Sequence, residues 1–238
     1  MLGPWPTTLV AFGAKDTALI LYDNEWWRLL TPAMLHAGFI HLFVNIVIQM
    51  RLGVHLEYEW GWRPWMAVYV ASAAFSSLMS CIFLPDQLGV GSSGAIMGLM
   101  GAWFVEIVCK WSTADEEAHE QLHQVSAECS NGCFTNFLMA TLNIGVTLGF
   151  SFVPYVDWAA HVGGLVAGGA VGLWLFGGSL AWERGRRYAK PACAGMLLLA
   201  TAAALGWLLM YGAPDPSLRD VCAMFAEYEA RGVRLPAC

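Results

Sequence analysis

The chain has 238 residues, of which 58% are hydrophobic and only 13% are charged, and its formal net charge is −6 at pH 7. Soluble domains carry about 25% charged residues, so this composition excludes an ordinary soluble domain and predicts an all-α, polytopic bundle of membrane-spanning helices. No basic cluster exceeds residues 184–190, which argues against nucleic acid as a partner. The seven cysteines form neither Cys-x-x-Cys pairs nor zinc-like spacings, so we expect no metal site and no cofactor.

Residues 1–31 form a mixed, aromatic-rich segment whose apolar runs are too short to cross a bilayer. The segment contains the cluster Glu25-Trp26-Trp27-Arg28, and tryptophan is favoured at membrane–water interfaces. We therefore expect a structured loop that lies on the membrane.

Six later stretches are apolar and long enough to be membrane-spanning helices. The first, residues 33–52, contains His36, His41 and Asn45. His41 and Asn45 are four residues apart and therefore share a helix face, and polar side chains within a span usually face the bundle interior. The other predicted spans are residues 64–84, 93–111, 133–153, 156–178 and 191–211.

Two polar segments lie outside the predicted spans. Residues 112–132 show no apolar period and are predicted to be a solvated loop. The C-terminal tail from Gly212 holds Cys222 and Cys238, which are candidates for a disulfide in an oxidising compartment.

The distribution of basic residues predicts the orientation of the chain. They concentrate in the loops after spans one, three and five, which are therefore predicted to be cytoplasmic. The loops after spans two and four hold none and are predicted to face outward. This orientation brings Ser93, His161 and the His41/Asn45 pair into the same outer half of the membrane.

Two short motifs hold residues suited to nucleophilic catalysis. Ser93 lies in Gly91-Ser92-Ser93-Gly94 at the start of a predicted helix, where free backbone N–H groups can stabilise an oxyanion. His161 lies in the fifth span, and neutral histidine is the usual base that activates a serine. Taken singly, the first motif is more typical of a helix start and the second of a buried core histidine. Their combination favours a Ser93–His161 dyad.

Further residues are candidates for supporting roles in this chemistry. The side chains of His41 and Asn45, with the backbone N–H of Ser93, are candidate oxyanion donors. Asp157 lies one turn before His161, but capping the helix N-terminus is the favoured role for it. We therefore expect a dyad rather than a triad.

Glycines in the third and fifth spans predict that these two helices pack closely. They are Gly94 and Gly98 in the third span and Gly164, Gly168 and Gly172 in the fifth. Small residues at four-residue spacing let two backbones approach each other. Because His161 is three residues before Gly164, it shares roughly the packed face.

These motifs resemble those of the rhomboid family of intramembrane serine proteases. The matching residues are Glu25-x-Trp27-Arg28, His36-x4-His41-x3-Asn45, Leu52-Gly53-x3-Glu57-x3-Gly61, Gly91-x-Ser93-Gly94 and Ala160-His161-x-Gly163-Gly164. The resemblance implies a rhomboid-like bundle in a multi-pass membrane protein, with Ser93 as nucleophile and His161 as base. It also implies that transmembrane segments of other proteins are the substrates, and that they enter laterally past span four.

The resemblance extends to several structural residues. It implies packing or structural roles for Trp27, Arg28 and Glu57. Met97, one turn after Ser93, stands where the family often has an aromatic residue that stacks on the histidine, and a thioether can also pack on a ring.

The resemblance covers residues 2 to about 178 and suggests three parts. They are an interfacial segment (1–31), a catalytic core (32–178), and a C-terminal part (179–238) with a basic cytoplasmic loop, an extra span similar to that of the eukaryotic secretase-type subgroup, and a lumenal tail. A family core has six spans, and five are visible before the basic loop. We therefore expect the first core span to be missing and the chain to be a truncated form of a longer protein.

Two other functions are alternatives to proteolysis. A non-enzymatic rhomboid-like protein that binds membrane clients would lack the serine or the histidine, and both are present here. A transporter or channel predicts helix-breaking residues in paired spans and an inverted repeat, and neither is visible. The sequence favours an intramembrane serine endopeptidase, with a catalytically weak, client-binding rhomboid-like protein as the alternative.

Overall fold

The structure, a computed structural model, describes residues 3–120, 123–152, 156–180 and 183–211, without the side chains of residues 112–120, 123–133 and 211. The described residues form a helical bundle, so the predicted all-α class is confirmed. The α-helices are α1 (Pro6–Ala11), α2 (Thr17–Tyr22), α3 (Phe39–Ile48), α4 (Val54–Trp60), α5 (Trp62–Phe83), α6 (Ser93–Glu120), α7 (His123–Ser151), α8 (Trp158–Phe176) and α9 (Glu183–Tyr211).

Within the described residues, five helical segments are long and apolar enough to cross a membrane. A π-helical turn, Gln49–Gly53, joins α3 to α4 and makes them one segment. The predicted fourth span, residues 133–153, falls on α7 and is not among the five. The five segments are Phe39–Trp60, Trp62–Phe83, Ser93–Trp111, Trp158–Ser179 and Glu183–Met210.

The first span begins at Phe39 and not at residue 33 as predicted. A separate 3-10 turn, Thr31–Met34, comes first, and Gly38 then starts the helix in an extended conformation, its carbonyl accepting from the N–H of Leu42. His36 therefore lies before the span, and His41 lies in its first turn.

The prediction of a solvated loop over residues 112–132 is wrong for the described part of that segment. Helix α6 continues to Glu120, and α7 begins at His123. Helical hydrogen bonds do not require an apolar face, and glutamate and alanine are good helix formers. The polar composition of the segment therefore does not exclude a helix.

Helix α6 packs against both α5 and α8, and its glycines make both contacts possible. A Cβ at Gly98 would overlap the side chain of Ser72 on α5, and a Cβ at Gly168 on α8 would overlap the carbonyl of Gly98. One turn earlier, a Cβ at Gly164 would overlap the carbonyl of Gly94. The α6 and α8 backbones therefore touch, which leaves room only for glycine.

Arg28 holds the N-terminal segment together. It is buried, and its Nη1 donates to the carbonyls of Val10 at 2.7 Å and Ala14 at 2.9 Å. Its Nε also pairs with the carboxylate of Glu25 at 2.5 Å. The planar guanidinium supplies several fixed donors, so one side chain ties α1 and the turn after it to the segment before the first span.

Lys15 ties the same segment to the bundle. Its backbone forms an isolated antiparallel bridge with Gly89, and its fully buried Nζ donates to the carbonyls of Leu84 at 2.7 Å and Gln87 at 2.6 Å. Burial lowers the pKa of this amine. The loop between α5 and α6, which leads to Ser93, is thus held by the N-terminal segment.

Candidate active site

Ser93 and His161 lie within hydrogen-bonding distance of each other. Ser93 is the first residue of α6, and its Oγ is 2.7 Å from Nε2 of His161 on α8. The backbone contact between Gly94 and Gly164, next to these residues on the two helices, explains how the short serine side chain reaches the ring. His161 is buried and Ser93 is half-buried.

The second ring nitrogen of His161 contacts a residue that sequence reasoning missed. Nδ1 lies 2.5 Å from Oγ of Ser151, the last residue of α7, and that Oγ is also 2.7 Å from the carbonyl of Thr147. Ser151 follows Ile144 and Leu148 at helical spacing, and those two residues pack against the buried cluster around Met97. This spacing puts Ser151 on the inward face of α7, and it is the feature of the sequence from which the position of Ser151 could have been predicted.

Gly91 shapes the turn that leads into α6. Its φ of +126° is a conformation that L side chains rarely adopt, and its N–H donates to the carbonyl of Pro32 at 2.8 Å. A Cβ here would lie 2.9 Å from Nε2 of His41 and 3.6 Å from Oγ of Ser93. His41 and Ser93 therefore border the same small space beside the Gly91 backbone.

The hydrogen bonds of His41 orient its ring. The N–H of Ala37 is 3.4 Å from Nδ1, which makes this nitrogen the acceptor; in a neutral imidazole the proton is then on Nε2, the nitrogen nearest Gly91. Asn45 is buried, and its Nδ2 donates one N–H to the carbonyl of His41 at 2.9 Å. The ring of His36 packs edge-on against that of His41, and burial lowers the pKa of His36.

Asp157 caps helix α8, as predicted. Its Oδ1 accepts from the N–H of Ala160 at 2.8 Å, and its Oδ2 accepts from the hydroxyl of Ser80 at 2.5 Å. Both carboxylate oxygens are therefore occupied by groups other than the imidazole of His161, whose Nδ1 faces Ser151 instead.

A small polar cleft of about 30 Å³ lies beside Ser93. The side chains that border it include those of Ser76, Ser80, Lys15 and Asp157. A cleft of this volume with several polar partners is large enough for one water molecule.

The remaining candidate residues differ in how far they are buried. Met97 is fully buried with Ile96 and Met100, Trp27 has half of its side chain exposed, and Glu57 on α4 is exposed. The predicted Cys222–Cys238 disulfide falls outside the described residues.

Known proteins resemble this chain over most of its length. A family model described as the Rhomboid domain matches residues 23–178. RHOMBOID-like protein 7 of Arabidopsis thaliana is 34% identical over 192 residues, which are 80% of this chain and 56% of that protein. Rhomboid-like protease 2 of Toxoplasma gondii is 30% identical over 176 residues, 74% of this chain and 56% of that protein.

A bacterial relative aligns over more of this chain. Rhomboid protease GluP of Bacillus subtilis (strain 168) is 32% identical over 214 residues, 90% of this chain and 37% of that protein. The chain spans about half the length, or less, of these curated relatives. The family match, together with the five apolar helices, identifies a multi-pass protein of the lipid bilayer.

Proposed function

Because the chain belongs to the rhomboid family, we propose that it is an intramembrane serine endopeptidase that cleaves transmembrane segments of other membrane proteins. One observation carries the proposal: the Ser93 hydroxyl lies 2.7 Å from Nε2 of His161, at the first turn of a helix. A serine within hydrogen-bonding reach of a histidine is the arrangement that activates the hydroxyl for attack on a carbonyl. Two of the named relatives are called proteases, which supports the same activity.

In the first half of the proposed reaction, Nε2 of His161 takes the proton of Ser93 while Oγ attacks the carbonyl carbon of the scissile peptide. The resulting imidazolium then gives this proton to the leaving amine, and the C–N bond breaks. A water molecule loses a proton to the same imidazole and attacks the acyl ester. The proton returns to Ser93, and the carboxylic acid product leaves.

The negative charge that forms on the carbonyl oxygen needs nearby donors. The candidate donors are of three kinds. The first N–H groups of α6 have no intrahelical partner, Nε2–H of His41 lies beside the Gly91 backbone, and Asn45 has a second N–H besides the one that it donates to His41. These are donors of the kind that stabilise a tetrahedral intermediate. The polar cleft beside Ser93 is a suitable source for the hydrolytic water.

The test uses the purified protein reconstituted in liposomes with a transmembrane substrate. Wild-type protein is expected to react with a fluorophosphonate probe and to cleave the substrate, whereas Ser93→Ala does neither. Ser92→Ala is the matched control, because it removes the neighbouring hydroxyl and should retain both activities. Cleavage by Ser93→Ala, or the absence of probe labelling in folded wild-type protein, would contradict the proposal.

The same preparation tests the alternative of a client-binding protein without protease activity. In that case wild-type protein and Ser93→Ala would retain the transmembrane substrate equally, and neither would release a fragment. The presence of both the serine and the histidine at hydrogen-bonding distance favours proteolysis over this alternative.

A further inference from the structure

We infer that Ser151 is a positioning residue of the active site, whose hydroxyl oxygen accepts a hydrogen bond from Nδ1 of His161. This bond holds the imidazole in the tautomer that leaves Nε2 free to take the proton of Ser93. The inference rests on the proposed function and assigns to the same site a residue on a third helix.

The direction of the hydrogen bonds follows from counting protons. A serine hydroxyl has one proton, and a backbone carbonyl can only accept. Ser151 therefore donates its proton to the carbonyl of Thr147, 2.7 Å away. Toward His161, at 2.5 Å, its oxygen has only lone pairs to offer, so Nδ1 must be the donor. A neutral imidazole that is protonated on Nδ1 has an unprotonated Nε2, the nitrogen that faces Ser93.

The same arrangement persists when His161 gains a proton. In the imidazolium both ring nitrogens are donors, and the lone pair of Ser151 continues to accept from Nδ1. The bond to Ser151 therefore exists before and after proton transfer, and the ring need not turn between the two steps.

Ser151 occupies the position that an aspartate has in a Ser-His-Asp triad. Asp157 does not take this position, because its oxygens accept from Ala160 and Ser80. An uncharged serine orients the ring but stabilises its positive charge less than a carboxylate would. We therefore expect a smaller effect from losing Ser151 than the loss of about 10⁴ seen for a triad aspartate.

The packing of α7 determines where this hydroxyl lies. Ile144 and Leu148 pack against the buried cluster around Met97 on α6, and Ser151, one turn after Leu148, is itself buried. The contact with His161 thus joins α7 to α8 at the point where α6 begins.

The first test measures cleavage kinetics of Ser151→Ala, which removes only the oxygen. We expect kcat to fall about tenfold with KM unchanged, as for the loss of one hydrogen bond. Ser151→Thr should recover most of the rate, because its Oγ1 can accept from Nδ1 and bond the carbonyl four residues earlier. Thr141→Val is the matched control, because Thr141 bonds Phe137 in the same way on the same helix but is exposed. If Ser151→Ala kept the wild-type kcat while Ser93→Ala was inactive, the role of Ser151 would be overturned and the proposed function would stand.

The second test is independent of turnover. Nitrogen-15 NMR of labelled histidine should show Nδ1 of His161 protonated and hydrogen-bonded in wild-type protein, with the signal assigned by its loss in His161→Gln. Ser151→Ala should shift this signal and populate the other tautomer, while Thr141→Val leaves it unchanged. An unchanged signal in Ser151→Ala would overturn the inference. A wild-type protein with the expected signal but no cleavage would support the hydrogen bond and contradict the proposed function.

Discussion

The imidazole of His41 lies so close to the backbone of Gly91 that a Cβ at residue 91 would come 2.8 Å from its Cε1 and 2.9 Å from its Nε2. Real Cβ atoms essentially never approach other heavy atoms this closely. Gly91 also has a φ of +126°, so a side chain there would be both crowded and strained. The absence of a side chain thus lets the turn before α6 and the ring of His41 share one small space.

Gly91→Ala should therefore impair catalysis as well as folding. The methyl group must push His41 away or rotate the turn that carries Ser93, and a misplacement of about 1 Å can cost 10²-fold in rate. We expect kcat/KM for a transmembrane substrate to fall at least about tenfold. Gly61→Ala is the matched control, because Gly61 also has a positive φ but a Cβ there would meet nothing within 4 Å. If Gly61→Ala lost as much activity as Gly91→Ala, backbone strain alone would explain the result.

Asn45→Ala should lower kcat with little change in KM. Removing one oxyanion donor typically costs about 10²–10³ in kcat, and Asn45 is a candidate donor on α3. Asn143→Ala is the control, because Asn143 on α7 makes the same side-chain bond to the carbonyl four residues earlier but is exposed. The test compares the steady-state kcat of the two variants. An equally small decrease in kcat for both would show that Asn45 does not stabilise the oxyanion.

Asp157→Asn should retain most of the activity and most of the stability. Asparagine caps helices as well as aspartate does, whereas alanine costs about 1 kcal/mol. Asp157→Ala should accordingly lower the melting temperature of the detergent-solubilised protein more than Asp157→Asn does. A loss of about 10⁴ in kcat for Asp157→Asn would instead indicate that the carboxylate orients His161 as a triad member.

Gly168→Val should separate α6 from α8 and abolish activity. Its side chain would overlap the backbone of Gly98, and the resulting shift would pull His161 away from Ser93. Gly145→Val on α7 places the same side chain where a Cβ meets nothing within 4 Å, and should leave activity intact. Expression, melting temperature and cleavage are measured for both variants. An active Gly168→Val protein would contradict the backbone contact between the two helices.

Helices α5 and α8 and the apolar parts of α6 and α9 could be predicted from the sequence, because a membrane span needs a long apolar stretch. The polar ends of α6 and α9, which reach Glu120 and begin at Glu183, were not predicted to be helical. The contact between α6 and α8 could also be predicted, since glycines four residues apart mark a helix face that allows another helix to approach closely. The start of the first span was missed because Gly38 and the turn at Thr31–Met34 interrupt an otherwise continuous apolar run.

Ser151 could not be recognised from the sequence in the same way. A single serine near the end of an apolar helix resembles any other small residue, and its hydroxyl can bond its own helix, as the bond to Thr147 does. Its contact with His161 depends on how α7 lies against α6 and α8. The orientation of α7 relative to α6 and α8 results from side-chain packing along the whole helix, and no local sequence motif marks it.

The backbone contact between α6 and α8 also determines which defects can be repaired genetically. At Gly163 an added methyl group would lie 2.7 Å from Cγ and 2.8 Å from Cβ of Met79, so Met79→Gly, which removes both atoms, is the expected second-site suppressor. At Gly164 the obstacle is the main chain of Gly94, which no substitution can make smaller. A suppressor screen should therefore recover revertants of Gly163→Ala at Met79, but only true reversions of Gly164→Ala.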